Sequence, residues 1–230
     1  MSVESTPPLA RRSAFDRSLD RIGTDIVDGR LPAGSVHTVD DLMRLAGHSR
    51  SVVREATRVL AGLGLLASRA HVGHTVRPEE DWDWLQPTVL RWALVGQRRA
   101  ATMIAIRELR VATEPESARL AAHRRTAEQT AELLAASDAL QASAGAQDAS
   151  AFLEADLRLH RLIRRAAGNP VLDRVGGAID EALRDRADRL PTGAIDARDA
   201  RLHHDLVRAI IARDGDRAAD LLREIITRTA

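Results

Sequence analysis

The sequence predicts a mainly α-helical protein built from two domains, and two patterns in the chain lead to this prediction. Apolar residues recur at helical spacing through most of the 230 residues. Strand-like apolar stretches are confined to 65–76. The length suits two modest hydrophobic cores, so we expect one domain at 14–77 and a second at 88–230, with a flexible leader at 1–13 and a linker at 78–87.

The amino-acid composition limits which kinds of metal site and which binding partners we expect. The chain has no cysteine, which excludes disulfides and thiolate metal sites, so any metal would be held by His, Asp or Glu. Residues 1–77 carry 11 Arg against 8 acidic residues, and this excess favours a polyanionic partner for the first domain. No apolar run approaches the ~18 residues of a membrane span. No signal peptide is evident, so we expect a cytoplasmic protein with no membrane partner.

Three helices and a hairpin are predicted in the first domain. The apolar spacing indicates a first helix at 15–27, and Thr38 is placed to cap a second at 39–45. A third helix lies within 47–66 and ends at a glycine. The hairpin follows at 65–76. This order is that of a winged helix-turn-helix.

The third helix has the features of a helix that reads DNA. Ser51 and Arg54 lie mostly away from its apolar face, and Ser49 and Arg50 lie at its entry. An arginine fork matches guanine O6 and N7 and also pairs with phosphate. The alternative for Arg54 is an ion pair with Glu55 or another surface carboxylate. The predicted buried face consists of Val53, Ala56, Val59, Leu60 and Leu63.

The second domain is predicted to be an antiparallel helical bundle. Its apolar periodicity predicts helices at 88–96, 100–124, 127–143, 149–167, 170–190, 195–213 and 215–229. The Ser, Ala, Gly and Gln residues around 142–148 predict a loop, and no strand is expected after the hairpin.

A polar set within this bundle could hold a metal ion. Asp156 and His160 are four residues apart, which puts both on one helix face, and His203 shares a stripe with apolar residues of its own helix. Interior Asp and His are costly unless they pair or bind a metal. Carboxylate and imidazole ligands without sulfur suit Zn²⁺, Ni²⁺ or Mn²⁺ class ions. The alternative is that Asp156 pairs with Arg164 or His160 and that His203 is a satisfied core histidine.

Several segments resemble the GntR family of bacterial transcription regulators. Residues 49–69 read SRSVVREATRVLAGLGLLASR and follow DGRLPAG, which is similar to the DNA-binding segment of that family. The segments at 107–122, 152–172 and 202–222 resemble the all-helical effector-binding domain (FCD) of its FadR-type branch. The resemblance covers 15–230. The connector DWDWLQPTVLRW further resembles regulators of sugar-acid catabolism, including galactonate-type repressors.

This resemblance implies that a homodimer binds palindromic double-stranded operator DNA. The arginine of the family's motif ahead of the second helix is replaced here by Asp40, so we expect one phosphate or base contact to be missing and the operator sequence to differ from the family norm. The implied contacts are Arg50 and Arg54 to bases, and Ser49, Ser51, His71 and Gly73 to the backbone or minor groove.

The resemblance also implies an effector site in the second domain. Arg110 would reach into the effector cavity and grip a carboxylate with its planar fork. Three of the four metal ligands of the family match Asp156, His160 and His203, and Ile225 occupies the place of the fourth. Three protein ligands are still enough for an open zinc site. Glu114, in the same motif as Arg110, is interpreted as a packing residue.

The leading hypothesis is a transcription regulator, a repressor whose affinity for its operator is lowered by a small carboxylate such as a sugar acid. A second hypothesis is a metal-dependent enzyme that uses the Asp-His-His set. The chain lacks HExxH and a nucleophile constellation, so we expect no enzyme. A third hypothesis is a structural helical dimer with a vestigial DNA domain.

Overall fold

A computed structural model describes residues 13–69, 72–187 and 195–228 of the chain. Most of the predicted leader and His71 therefore lie outside the described residues. The chain divides into two compact units. The first comprises residues up to Trp84 together with Val95–Gln97, and the second comprises Leu85–Leu94 and the chain from Arg98 onward.

The first unit is a winged helix-turn-helix, as the sequence predicts. Its strands form one antiparallel sheet in the order β1-β3-β2, with Leu66 opposite Val76 and Val36 opposite Thr75. The strand β1 was not predicted, because two residues are too few to show an alternating pattern. The elements are α1 (Ala14–Val27), β1 (Val36–His37), α2 (Val39–Ala46), α3 (Arg50–Gly62), β2 (Leu66–Arg69) and β3 (Gly73–Val76).

Local capping sets where α2 begins and ends. The Thr38 hydroxyl accepts from the Asp41 amide, and the Asp41 carboxylate accepts from the Thr38 amide, so a capping box starts the helix. Gly47 ends it in the left-handed conformation, with φ of 70°. The chain then turns directly into α3, where Ser49 occupies the N-cap position.

One side of α3 packs into the core of the first unit. Val53, Ala56, Thr57 and Leu60 are buried at the spacing i, i+3, i+4, i+7. The prediction that Val59 is buried was wrong, since its side chain is 37% exposed. Each residue turns the helix by about 100°, which carries Val59 off the stripe that Leu60 occupies.

The second unit is the predicted all-α bundle. The prediction of a loop over 142–148 was wrong for its first part, because α6 continues to Ala146. Ala144 packs into the core, and the chain turns only at Gln147, where φ is 55°. The helices are α4 (Pro87–Val95), α5 (Arg99–Arg124), α6 (Ala127–Ala146), α7 (Ala149–Ala166), α8 (Pro170–Ala187), α9 (Ala197–Ile211) and α10 (Gly215–Arg228).

The core of this unit lies among α5, α6, α7, α9 and α10. α5 packs against α7 and α10, and α6 packs against α7 and α9. Leu133, Leu140, Leu159 and Leu206 are fully buried in this core. α8 packs against α7 and α5. In the described ranges, none of the helices combines the length and apolarity needed to span a bilayer.

Candidate functional site

The predicted DNA-contacting residues of α3 share one exposed surface. Ser49, Arg50, Ser51 and Arg54 are all exposed along the first turns of the helix. The Ser49 hydroxyl makes no capping bond and lies 3.1 Å from the hydroxyl of Ser51. Both hydroxyls therefore face solvent at the end of the helix where the main-chain N–H groups are unpaired, which is a favourable place for a phosphate.

Arg50 is held by Asp40 across the helix-turn-helix. The Arg50 Nη2 donates to the Asp40 Oδ1 at 2.5 Å, and the two side chains are 57% and 64% exposed. Thr38 and Asp41 already cap α2, so the Asp40 carboxylate is not needed for capping. Asp40, where the resemblance implies an arginine, is thus an anion bonded directly to Arg50, a candidate base-contacting residue.

Arg54 differs from Arg50 in having no carboxylate partner. The alternative of an ion pair with Glu55 is not formed, and within the described residues Arg54 makes no other ion pair. The positive charge of Arg54 nevertheless affects a residue of the wing, the hairpin formed by β2 and β3. The pKa of His74, on β3, is lowered by partial burial and by the positive charge of Arg54. Arg54 of α3 and His74 of the wing are therefore close enough to interact electrostatically.

Gly73 opens the wing strand β3 for a steric reason. Its φ is 116°, and a Cβ at this position would lie 2.7 Å from the carbonyl oxygen of His37. Only glycine lets the two strands approach there. The predicted wing contact at Gly73 is thus part of an ordered sheet, while its predicted companion His71 lies outside the described residues.

The three candidate metal ligands come together inside the second unit. Asp156 Oδ1 lies 3.0 Å from the Nε2 of His203 and 3.5 Å from the Nε2 of His160. One ligand atom from each residue lies within 4.8 Å of the others. α7 supplies the first pair and α9 supplies His203, and both imidazoles are buried.

The local bonding aims the histidines at a common point. The Nδ1 of His203 donates to the carbonyl of Asp199 at 2.7 Å, which directs its Nε2 toward Asp156. Neither Nε2 makes a well-aligned hydrogen bond to any described residue. Two converging imidazole nitrogens and a carboxylate oxygen fit a divalent ion of the zinc class.

Without a metal, Asp156 and His203 form a buried ion pair. Burial raises the pKa of Asp156, but the two histidines lower it by more, so the carboxyl pKa falls well below its usual range. Burial lowers the pKa of His203, but the Asp156 carboxylate raises it by more, to about 9. The alternative of an Asp156–Arg164 pair is wrong, since Arg164 bonds to Asp180.

Glu114 lies between Arg110 and His160, one of the candidate metal ligands. Its Oε2 lies 3.2 Å from the Nη2 of Arg110 and 3.5 Å from the Nδ1 of His160. All three residues are buried. The interpretation of Glu114 as a packing residue missed this contact. Its spacing of four from Arg110 on one predicted helix was the available signal.

Two further predictions about this unit concern single positions. Ile225 is buried in the hydrophobic core, as its apolar side chain requires, and offers no ligand atom. Arg107 is exposed on α5, whereas Arg110, three residues later, is buried. The helix thus presents one arginine to solvent and one to the interior.

Comparison with known proteins extends these observations. The FCD domain family matches residues 105–228. The galactonate operon transcriptional repressor of Escherichia coli K12 is 32% identical over 206 residues, covering 88% of this chain and 89% of that protein. The probable D-xylose utilization operon transcriptional repressor of Paenarthrobacter nicotinovorans is 32% identical over 173 residues, covering 74% and 67%. A solved GntR structure from Streptococcus agalactiae covers 94% of this chain and 100% of its own, with a TM-score of 0.53 and 22% identity, and has the same fold.

Proposed function

The chain belongs to the GntR family of transcription regulators and carries its FCD domain, and from this premise we propose that it is an operator-binding repressor controlled by a small carboxylate. Its named relatives include transcriptional repressors of sugar and sugar-acid operons, and these relatives are regulators rather than enzymes. The hypothesis of a metal-dependent enzyme is therefore set aside.

The first unit supplies the DNA contacts in this proposal. The exposed arginine without an acidic partner, Arg54, reads a guanine through O6 and N7, and Arg50 reads a neighbouring base while Asp40 holds it. Ser49 and Ser51 contact phosphate, and Gly73 brings the wing to the minor groove. A homodimer places two such surfaces on a palindrome, about one helical turn apart.

The second unit supplies the effector site. The observation that carries this part is that one Glu114 oxygen contacts both Arg110 and His160. The buried guanidinium of Arg110 and the three candidate metal ligands therefore lie in the same part of the protein interior. A carboxylate that entered there would compete with Glu114 for Arg110 and would be held by charge-assisted hydrogen bonds. A sugar acid fits such a site, because it has a hydroxyl group on the carbon next to its carboxylate.

Asp156, His160 and His203 would hold a divalent ion if one is bound. The ion would act as a Lewis acid that binds the effector's carboxylate or adjacent hydroxyl. The chain's own residues prepare this site, because Asp199 orients His203 and Glu114 contacts His160. With three protein ligands, room is left for an exogenous oxygen in a tetrahedral shell.

Control of transcription follows if the effector favours a conformation that binds the operator poorly. Coupling free energies between sites are typically about 1–3 kcal/mol, which corresponds to a change in operator affinity of roughly 5- to 150-fold. The energy comes from differential contacts, so an effector that bonds Arg110 equally well in both conformations would have no effect.

The experiment is operator binding with and without sugar acids. Fluorescence anisotropy would measure affinity of the full chain for DNA from upstream of its own gene, with galactonate as the first acid. We expect galactonate to weaken binding, Arg110→Ala to bind the operator normally but ignore the acid, and the exposed control Arg107→Ala to respond as the wild type does.

Two results would contradict the proposal. If the wild type binds no upstream fragment more tightly than random DNA, the DNA-reading role fails and the structural dimer becomes the better hypothesis. If Arg110→Ala is folded by circular dichroism and still responds normally to the acid, the effector role of Arg110 fails.

A further inference from the structure

Arg164 is a buried arginine that the proposed function does not use. It lies on α7, four residues beyond His160 and eight beyond Asp156, and its side chain is 4% exposed. Its Nη2 donates to the Asp180 Oδ1 at 2.9 Å. Its Nε and Nη1 are buried and have no hydrogen-bond partner among the residues that the structure describes. Two N–H donor groups of the Arg164 guanidinium, Nε and Nη1, thus lack an acceptor among the described residues.

The charge around Arg164 is not balanced. The second oxygen of Asp180 accepts from Arg161 at 2.6 Å, so one carboxylate serves two guanidinium groups. The nearby acids of α8 have other partners, because Glu181 lies beside Arg184 and Asp185 accepts from Arg99. The cluster of Arg161, Arg164 and Asp180 therefore has a net charge of +1.

The packing of α8 leaves space for this guanidinium. A Cβ placed on Gly176 would lie 2.2 Å from the Nε of Arg164, so only glycine lets the side chain lie against the helix there. A purely structural arginine can satisfy its donors with main-chain carbonyls. Arg125 does so in the same unit for its Nη1 and Nη2, through Ala122 and Ile211, although its Nε is also buried without a partner among the described residues. Arg164 has no such acceptors within the described residues.

A buried cation with unsatisfied donors is costly unless an anion completes it. We infer that Arg164 is a second anion site of the effector domain, which takes a carboxylate or phosphate group from the far end of the effector. This inference rests on the proposed effector site around Arg110 and His160. It assigns the effector to the class of dianionic sugar acids.

The placement along α7 suits such a ligand. His160 and Arg164 are separated by about 6 Å along the helix axis. The backbone of a six-carbon acid, with five bonds, spans about the same distance when extended. Since α7 and α8 enclose both free donors, an anion reaches them when α8 moves away from α7, which links occupancy of this site to a change in the bundle.

The test compares acids that share one carbon skeleton. Isothermal titration of the full chain would measure binding of gluconate, glucarate and 6-phosphogluconate, and the last two separate a carboxylate from a phosphate at the far end. We expect the preferred dianion to bind about tenfold more tightly than gluconate, the size of one charge-assisted hydrogen bond.

Variants of the protein test whether Arg164 causes the preference for the dianion. Arg164→Gln should remove the preference for the dianion and leave gluconate affinity within about twofold, whereas Arg158→Gln, an exposed arginine on the same helix, should keep it. Asp180→Asn should strengthen the preference, because it frees Arg164 from its competing carboxylate. This gain tests the inference even if Arg164→Gln does not fold.

Three outcomes overturn the inference. Equal binding of gluconate and both dianions by the wild type would do so while leaving the proposed function intact, provided gluconate still releases the operator. Loss of the preference in Arg158→Gln as well would show that general charge, and not Arg164, causes it. If none of the acids binds, the proposed effector site fails together with this inference.

Discussion

The exposed arginines Arg50 and Arg54 of the N-terminal unit and the buried Arg110 of the helical unit differ in their surroundings. Arg54 is exposed to solvent and forms no ion pair with any described residue, and Arg50 has one exposed partner, Asp40. Arg110 is enclosed and bonded to Glu114, which also touches His160. One region presents its charge to solvent, and the other neutralises its charge internally.

This difference determines what each region contributes in energy. An exposed ion pair contributes about 0–1 kcal/mol, because water screens it and its side chains lose freedom. Removing one member of a buried pair is much more costly, because the other charge is left without a partner. Binding specificity in the first unit and stability in the second are therefore expected to respond to different substitutions.

The largest effect is expected from Glu114→Gln. The substitution keeps the side-chain volume but leaves the buried Arg110 without its counter-charge, so the free energy of unfolding should fall by about 3 kcal/mol. Denaturant titration followed by circular dichroism would measure it. Glu116→Gln, an exposed position on the same helix, is the control and should cost less than about 1 kcal/mol. Equal losses in the two variants would remove the contrast between buried and exposed charge.

A loss of operator affinity is expected from Arg54→Ala. A bidentate contact to guanine contributes about 1–3 kcal/mol, so specific affinity should fall by up to roughly a hundredfold. Binding to random DNA should fall much less. Arg223→Ala, an equally exposed arginine in the helical unit, should bind the operator normally. If Arg54→Ala weakens specific and random binding equally, Arg54 contacts only phosphate.

The buried Asp156–His203 pair predicts a pH dependence of the metal-free protein. The pKa of His203 is raised from 6.5 to about 9, so its contribution to stability is fully present below pH 6.5 and is lost as the pH rises through 9. The unfolding equilibrium should shift by up to about tenfold per pH unit in that window. Thermal melts in chelator from pH 6 to 9.5 would measure it. A slope that persists in His203→Gln would assign the effect to another group.

The smallest effect is expected from Asp40→Asn. It removes the carboxylate that holds Arg50 while leaving the capping box of Thr38 and Asp41 unchanged. Because the pair is exposed, stability should change by less than about 1 kcal/mol. Random DNA should bind a few-fold more tightly, since one anion near phosphate is lost. Anisotropy on operators with a changed base opposite Arg50 would detect weaker discrimination there. Unchanged discrimination would mean that Asp40 does not position Arg50.

Sequence patterns predicted the fold closely where one helix decides the outcome. The Thr38 cap, the stop at Gly47 and the helices of the second unit follow from local signals, and the structure confirms them. The error at Val59 arose because two adjacent apolar residues compete for one stripe, and only packing against α1 and α2 selects Leu60. The error around 142–148 arose because burial of Ala144 outweighs the loop preference of small polar residues.

The residues of the candidate sites also fall into those that spacing within one helix predicts and those that only packing between helices brings together. The exposed set on α3 and the pairing of Asp156 with His160 depend on spacing within one helix. The contacts of Asp40 with Arg50 and of Glu114 with His160 join residues from different helices, so no spacing rule contains them. The interpretation of Glu114 as a packing residue missed its contact with His160 for this reason.

By itself, the sequence determined which residues share a helix face, because a rotation of about 100° per residue depends only on local backbone geometry. That rule placed Arg54 away from the apolar stripe and Asp156 beside His160. The tertiary structure alone decided that His203 contacts Asp156 and that Glu114 lies between Arg110 and His160. It also decided that Arg164 packs against Gly176 of α8. The register between helices results from the packing of all their side chains together, and no local pattern encodes it.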